Sequence, residues 1–370
     1  MLKGQASASG TTAYANRFSQ FPGHYRPMQG LSVSSIGIGT YLGEEDAAGD
    51  AAYGEAIRAA LMGGINLLDT AINYRFQRSE RVIGKIIAEA VGAGTLDRGQ
   101  IVVATKGGYL AFDDEMPADP RAWFEEHYLR TGIVKPGELV QGSHCMTPRY
   151  LEAMLERSRA NLGLDTIDIY HVHNPDAQLG AVSRQEFRMR LRAAFEFLEG
   201  AVKSGKIGCY GVATWSGLRV AASDRGYLSL SDLVAIARDA GGPDHHFKVI
   251  QLPYNLAMTE ALTSHNQTLS QNSESTSLLA VADALGISVC ASASLLQGQL
   301  TRRLPEVMRT AFPDMETDAQ RSIQFVRSTP WINVALVGMS SAAHVAENLA
   351  AATHPPAQFD ALMKLFKRAG

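Results

Sequence analysis

Short apolar, β-branched runs alternate with longer amphipathic stretches from residue 31 onward, and this alternation limits the possible folds more than any other feature of the chain. Such runs predict buried strands, and the amphipathic stretches predict helices. The predicted strands are residues 32–39, 65–69, 101–106, 167–173, 208–213, 249–253, 288–293 and 334–338. The predicted helices are residues 53–62, 79–90, 148–161, 186–204, 230–239, 277–285, 318–328 and 344–351. Regular alternation of this kind predicts an α/β chain folded as a single-domain (β/α)8 TIM barrel.

Two segments lie outside this alternation. Residues 1–30 are predicted to form an N-terminal extension or a short hairpin, and residues 31–370 the barrel domain with a C-terminal helix. Residues 107–147, between the third strand and its helix, are too long for an ordinary loop and are predicted to be an insertion. Because loops at the carboxyl ends of barrel strands form the active-site face, the insertion is a candidate substrate lid or wall. The alternative is a surface elaboration used for oligomer contacts.

Composition excludes several classes of partner. The 34 Lys and Arg residues against 37 Asp and Glu give a formal charge of -3, which provides no basic field for nucleic acid. The longest stretch without charged residues, 328–346, contains Pro330 and Asn333 and is too polar to cross a membrane. The three cysteines stand far apart, which predicts a reducing compartment, hence the cytoplasm, and no metal cluster.

Polar residues end three consecutive predicted strands. They are Asp69, Lys106 and His173, and Tyr74 follows Asp69 closely enough to fold back over the same barrel mouth. Taken singly, each has a structural explanation: a turn cap, a solvated charge or a packed aromatic. Together they indicate a proton donor, because a buried Lys cation beside a phenol lowers the phenol pKa from about 10, and an Asp holds the Lys.

These residues stand within a longer series of segments that resembles the aldo-keto reductase family. The matching segments are residues 64–74, 78–80, 103–106, 168–175, 205–208, 251–256, 297–300, 338 and 347–349. They follow the order in which the family has them, and the resemblance covers about residues 31–350. Several separate motifs in one order make it specific, whereas each motif alone is weak.

The resemblance implies an NADP(H)-dependent oxidoreductase that reduces aldehydes or ketones to alcohols. Tyr74 is then expected to be the general acid, Lys106 the residue that depresses its pKa, Asp69 the partner of Lys106, and His173 the group that orients the substrate carbonyl. A small-molecule carbonyl compound is the expected substrate. The expected cofactor is NADPH, with NADH possible, bound extended across the barrel mouth without a Rossmann fold.

The resemblance also implies a set of cofactor-binding residues. Gln251 is expected to bind the nicotinamide carboxamide, and Glu347 and Asn348 to lie near the adenine. The whole expected set is Thr214, Gln251, Ser292, Leu295, Gln297, Gly298, Gly338, Ser340, His344, Glu347 and Asn348.

The chain departs from the family pattern at three places. Ala213 and Thr214 replace a Ser-Asn pair, and Ser292 stands where an aromatic platform for the nicotinamide is usual. Trp215 is a candidate for that platform or for packing. The loop 338–344 offers serines and a histidine but no Lys or Arg to pair with a 2'-phosphate, so the preference for NADPH rests on the family.

Other functions stay open at this point. The departures at Ala213–Thr214 and at Ser292 are compatible with a coenzyme-binding regulatory or interaction module that has little catalysis. Because hydride transfer is reversible, the same site also suits a sugar or alcohol dehydrogenase, and a barrel isomerase or lyase is a further alternative. His171 faces the barrel interior like His173, but no third ligand at useful spacing accompanies the pair, so no metal site is predicted.

Overall fold

The computed structural model describes residues 1–270 and 273–366, and its centre is a closed barrel of eight parallel strands. The strands β1 (Tyr25–Met28) and β2 (Leu31–Ser34) form a separate antiparallel hairpin. The barrel strands are β3 (Ile36–Gly39), β4 (Leu67–Asp69), β5 (Val102–Gly107), β6 (Ile167–His173), β7 (Ile207–Ala213), β8 (Phe247–Pro253), β9 (Ser288–Ser292) and β10 (Ile332–Gly338). They follow one another around the barrel in chain order, and β10 closes against β3. The predicted (β/α)8 fold is confirmed.

A helix follows each barrel strand and covers it from outside. In chain order the helices are α1 (Ala8–Asn16), α2 (Ala47–Gly63), α3 (Arg78–Gly92), α4 (Pro120–Phe124), α5 (Pro148–Leu162), α6 (Arg184–Lys203), α7 (Leu230–Gly241), α8 (Glu260–Thr263), α9 (Leu278–Ala284), α10 (Glu306–Ala311), α11 (Asp318–Ser328), α12 (Ala342–Leu349) and α13 (Phe359–Met363). Side chains at the N-caps accept backbone N–H groups, as Thr147 does before α5 and Ser183 before α6. Gly64 ends α2 at φ 119°, in the left-handed region that favours glycine.

The first predicted strand, 32–39, is two strands in the structure. Residues of β2 pair with β1 across a turn at Gln29 and Gly30, which have φ values of 50° and 81°, and only β3 enters the barrel. Met28 and Val33 of the hairpin pack against the inward side chains of the barrel strands. The hairpin therefore closes the end of the barrel opposite the mouth, and apolar alternation alone could not separate it from β3.

Residues 108–147 lie between β5 and α5 and are fixed by contacts within the segment, with α5 and with β6. Tyr128, which is fully buried, donates its hydroxyl to the Ala111 carbonyl at 2.8 Å, and Tyr150 of α5 donates to the Tyr109 carbonyl at 2.6 Å. A ring nitrogen of His144 lies 2.7 Å from the His173 carbonyl at the end of β6. These contacts hold Tyr109 beside the barrel mouth.

Candidate active site

Asp69 and Lys106 form a buried ion pair at the mouth of the barrel. Strands β4 and β5 are neighbours, and both residues lie at their carboxyl ends. The Lys106 ammonium donates to Asp69 Oδ1 at 3.0 Å, to Asp69 Oδ2 at 2.8 Å and to the Thr70 carbonyl at 2.7 Å. Three acceptors thus fix the position of the cation. Such partners offset the free-energy cost of removing its charge from water.

Tyr74 is held directly above this ion pair. Its ring centroid lies 4.9 Å from Lys106 Nζ, and its ring meets that of His173 edge-on at a centroid distance of 5.9 Å. The three residues after Tyr74 all have positive φ, between 47° and 72°, which turns the chain back over the mouth. Arg75, which is buried, stabilises this turn by donating to the Glu44 carbonyl and to Asp50 at 2.6 Å.

Burial sets the protonation states of these groups. Burial raises the pKa of Tyr74 above its ordinary value, and the opposing effect of Lys106 reduces this rise without reversing it. Lys106 thus acts in the expected direction on the pKa of the phenol, but burial outweighs it and the net shift is upward. Burial is the largest single influence and disfavours the Lys106 cation, but the interactions with Asp69 and Tyr74 together outweigh it and raise the pKa of Lys106. Burial, followed by the Lys106 charge, lowers the pKa of His173 well below its ordinary value, so this imidazole is neutral.

A cavity of about 930 Å³ opens above Tyr74 and extends across the mouth to α12. Its lining includes three predicted catalytic residues, Asp69, Tyr74 and His173, while Lys106 lies beneath them. Most of the predicted cofactor-binding residues also line it: Thr214, Gln251, Ser292, Leu295, Gln297, Gly298, Gly338, His344, Glu347 and Asn348. Ser340 is exposed on the loop after β10 and is not part of this lining.

Two of the predicted cofactor contacts are already engaged within the protein. Gln251 donates its side-chain N–H to Asp69 Oδ1 at 2.8 Å. Thr214 donates its hydroxyl to Asp176 Oδ1 at 2.7 Å and accepts the Gly217 N–H at 2.9 Å. Gln251 therefore has its side-chain oxygen left for a ligand N–H, and Thr214 is committed to positioning Asp176.

Sequence reasoning missed several residues that line the cavity, among them Tyr41, Asn73 and Asn174. The Tyr41 ring packs edge-on against Tyr74 at 5.0 Å, and the side-chain oxygen of Asn73 is buried without a hydrogen-bond partner in the described structure. Asn174 directly follows the last residue of β6, and its place just beyond a barrel strand was the signal that could have found it.

Asn174 also joins two aromatic residues. Its side chain donates to the Tyr109 hydroxyl at 3.1 Å and accepts the backbone N–H of Trp215 at 2.7 Å. Tyr109 in turn packs edge-on against the His173 ring at 5.1 Å. The insertion after β5 and the loops after β6 and β7 thereby meet in one wall of the cavity.

A family model described as "Aldo/keto reductase family" matches residues 35–321. The chain belongs to the aldo/keto reductase family. Two curated relatives of this aldo/keto reductase are each 30% identical to it. They are aldo-keto reductase YhdN of Bacillus subtilis, over 50% of this chain and 45% of the relative, and 6-dehydroglucose reductase of Novosphingobium aromaticivorans, over 52% and 51%. The chain thus spans about half the length of each relative.

Solved structures resemble this aldo/keto reductase over almost its whole length. An aldo/keto reductase from Klebsiella pneumoniae in complex with NADP and acetate has a TM-score of 0.61 at 21% identity, over 94% of this chain and 95% of that one. The holo form of an aldo-keto reductase from Bacillus halodurans also has a TM-score of 0.61, at 19% identity, over 93% and 97%. At these identities the likeness establishes the fold.

Two kinds of feature are absent from the described residues. Residues 1–270 and 273–366 contain no helix that is long and apolar enough to cross a membrane. Within these same residues, no group of three or more His, Cys, Asp or Glu side chains is arranged to hold a metal ion.

Proposed function

We propose that this aldo/keto reductase reduces aldehydes or ketones to alcohols with NADP(H), and that Tyr74 is the general acid. The observation that carries the proposal is the placement of Tyr74 over the buried Lys106–Asp69 pair, next to a neutral His173, at one end of the cavity of about 930 Å³. Carbonyl reduction uses three such groups together: a proton donor, a cation that stabilises its conjugate base, and an imidazole that donates a hydrogen bond.

The cavity suits an extended nicotinamide coenzyme. Its length from Tyr74 to α12 and its volume accommodate a large ligand, and the unpartnered oxygen of Asn73 gives a ligand a buried acceptor. Gln251 would offer its oxygen to the carboxamide, and Glu347 and Asn348 would bind the adenine. NADPH is the preferred coenzyme because a relative of the same fold binds NADP, and NADH is the second choice.

The residues of the site divide the proton chemistry among them. A bound nicotinamide coenzyme would supply the hydride for the carbonyl carbon. Tyr74 donates its proton to the carbonyl oxygen, which completes the new O–H bond, and the Lys106 cation stabilises the phenolate that remains. Asp69 and the Thr70 carbonyl hold Lys106 in place. His173, being neutral, donates an N–H to the same carbonyl oxygen and orients it.

The raised pKa of Tyr74 bears on the direction of the reaction. A general acid must hold its proton at working pH, and burial ensures that the phenol does. The reverse reaction, alcohol oxidation, needs the phenolate and becomes favourable only as pH rises. Reduction is therefore the proposed direction, with sugar or alcohol oxidation as the alternative at alkaline pH.

Absorbance of NADPH and then of NADH, followed with a panel of aldehydes and ketones, tests the proposal. We expect the native protein to consume the coenzyme, and Tyr74→Phe to lose most of this activity. Stoichiometric coenzyme binding without turnover on any carbonyl or alcohol would overturn it in favour of a binding module. Absence of binding of either coenzyme would indicate an isomerase or lyase.

The proposed location is the cytoplasm, consistent with three free cysteines.

A further inference from the structure

A second, smaller cavity of about 330 Å³ opens beside the active-site cavity. It lies between the insertion after β5 and the loops after β6 and β7. The two cavities share three lining residues, Tyr109, Asn174 and Trp215, which form the hydrogen-bonded wall described above. This side cavity is therefore adjacent to the reactive end of the site, and the ring of Tyr109 lies between it and His173.

Polar groups of three different kinds line the side cavity. Asp176 contributes a carboxylate, which Thr214 and Ser216 orient through hydrogen bonds of 2.7 and 3.5 Å. Arg225 donates Nε–H to the Leu179 carbonyl at 2.7 Å, which leaves its two terminal nitrogens without partners in the part of the chain that is described. Gln141 adds an amide, which donates and accepts.

These groups select a particular ligand chemistry. In the described structure no salt bridge joins Asp176 to Arg225, so each presents its own hydrogen-bonding capacity to the side cavity. An anionic ligand would be attracted by Arg225 and repelled by Asp176, and a cationic ligand would meet the reverse. A hydroxyl group both donates and accepts, so several hydroxyls satisfy the carboxylate, the guanidinium and the amide together.

The shared wall adds an aromatic surface to these polar groups. Trp215 is 46% exposed although it lines both cavities, so its indole is accessible to a ligand. An aromatic face packs against the C–H groups of a saturated ring and contributes apolar contact. The volume of the side cavity is sufficient for one such ring.

We propose that the side cavity is a substrate subsite for a hydroxylated ring, so that the substrate is a two-unit, sugar-like carbonyl compound. One unit presents its carbonyl to Tyr74 and His173, and the second packs on Trp215 with its hydroxyls bonded to Asp176, Arg225 and Gln141. The substrate class rests on the proposed reductase function. The existence of the subsite does not, because ligand binding is measured without turnover.

Comparison of glucose with the disaccharides maltose, cellobiose and lactose tests the subsite. All four present a reducing-end aldehyde, and only the disaccharides carry a second hydroxylated ring. We expect kcat/KM for at least one disaccharide to exceed that for glucose by about tenfold, the effect of one or two net hydrogen bonds. Equal values for all four sugars would overturn the proposal.

Gly226 allows a matched pair of variants. It lines the side cavity, and a Cβ built there meets only the exposed Asp224 side chain, at 3.3 Å. Gly226→Leu should fill the side cavity and abolish the disaccharide preference, whereas Gly226→Ala should keep it. Arg225→Met should reduce the preference about tenfold without filling the space. An unchanged preference in Gly226→Leu would refute the subsite.

Intrinsic tryptophan fluorescence gives a second readout, since the chain has three tryptophans and Trp215 lies in the shared wall. We expect a disaccharide to saturate the native protein at a lower concentration than glucose does, and Gly226→Leu to remove the difference. If no carbonyl is turned over, the proposed function fails and this titration still decides the subsite. Titrations in which no disaccharide binds more tightly than glucose would count against it.

Discussion

Tyr74→Phe is the sharpest test of the chemistry, because it removes one hydroxyl and keeps the ring. Lys106 Nζ lies 4.9 Å from the ring centroid, and two unit charges about 5 Å apart interact by about 3 kcal/mol at an effective dielectric constant of about 20. In the proposed reaction, that energy would stabilise the phenolate as the proton leaves. It corresponds to a rate factor of about 10², which lies within the range known for general acid catalysis.

We therefore expect kcat to fall by about 10²-fold or more in Tyr74→Phe, while the Kd for the coenzyme stays within about threefold. The assay follows NADPH absorbance under single-turnover conditions, so that product release does not mask the chemical step. Coenzyme binding is titrated separately by fluorescence. We expect the variant to fold, because the ring and its contacts with His173 and Tyr41 are retained. A thermal unfolding curve checks this.

Tyr41→Phe is the matched control. Tyr41 lines the same cavity and packs against Tyr74, but its side chain is 57% exposed and stands outside the Lys106–Asp69 pair. Loss of its hydroxyl should change kcat by no more than about threefold. Turnover of Tyr74→Phe within threefold of the native value would refute the general acid assignment, and equal losses in both variants would show that the cavity shape matters instead of the proton.

Three further predictions follow from the buried charges. Lys106→Met should lower the free energy of unfolding by about 3–5 kcal/mol, because Asp69 is left buried and unpaired; adding Asp69→Asn should restore thermal stability but not turnover. Since burial raises the pKa of Tyr74, the rate of reduction should stay constant from about pH 6 to 9 while the rate of alcohol oxidation rises with pH, and a decline of reduction through this range would contradict the assignment. Burial lowers the pKa of His24 and of His171 to about 3, so the unfolded chain binds more protons and stability should fall as pH drops below about 6.5. His171→Leu should make that slope shallower by about 1.4 kcal/mol per pH unit in denaturant titrations, and an unchanged slope would refute this.

Much of the site could be predicted because a parallel barrel converts sequence position into spatial position. Asp69 and His173 end the strands on either side of β5, and Lys106 stands one residue before the end of β5. A residue at such a strand end must lie at the barrel mouth, whatever the rest of the chain does. The proposed catalytic residues could therefore be located from strand patterns and from the family resemblance.

Other features depended on contacts between distant segments. Gln251 and Asp69 are 182 residues apart, and their hydrogen bond engages a side-chain N–H of Gln251. The resemblance assigns this side chain to the coenzyme. The direction of the Tyr74 pKa shift is a balance between desolvation and the Lys106 charge. Neither burial nor the distance to Lys106 can be measured along the sequence, so the net sign required the packed structure.

Local patterning alone determined that this chain alternates strands with helices and so forms a barrel, because apolar periodicity reflects which face of each element is buried. Tertiary structure alone decided that residues 31–34 leave the barrel to close its lower end, and that Tyr109, Asn174 and Trp215 meet between two cavities. These outcomes depend on pairings between loops and strands far apart in the chain. Such pairings depend on the free energy of the whole folded structure, and they leave no periodic signal in the sequence.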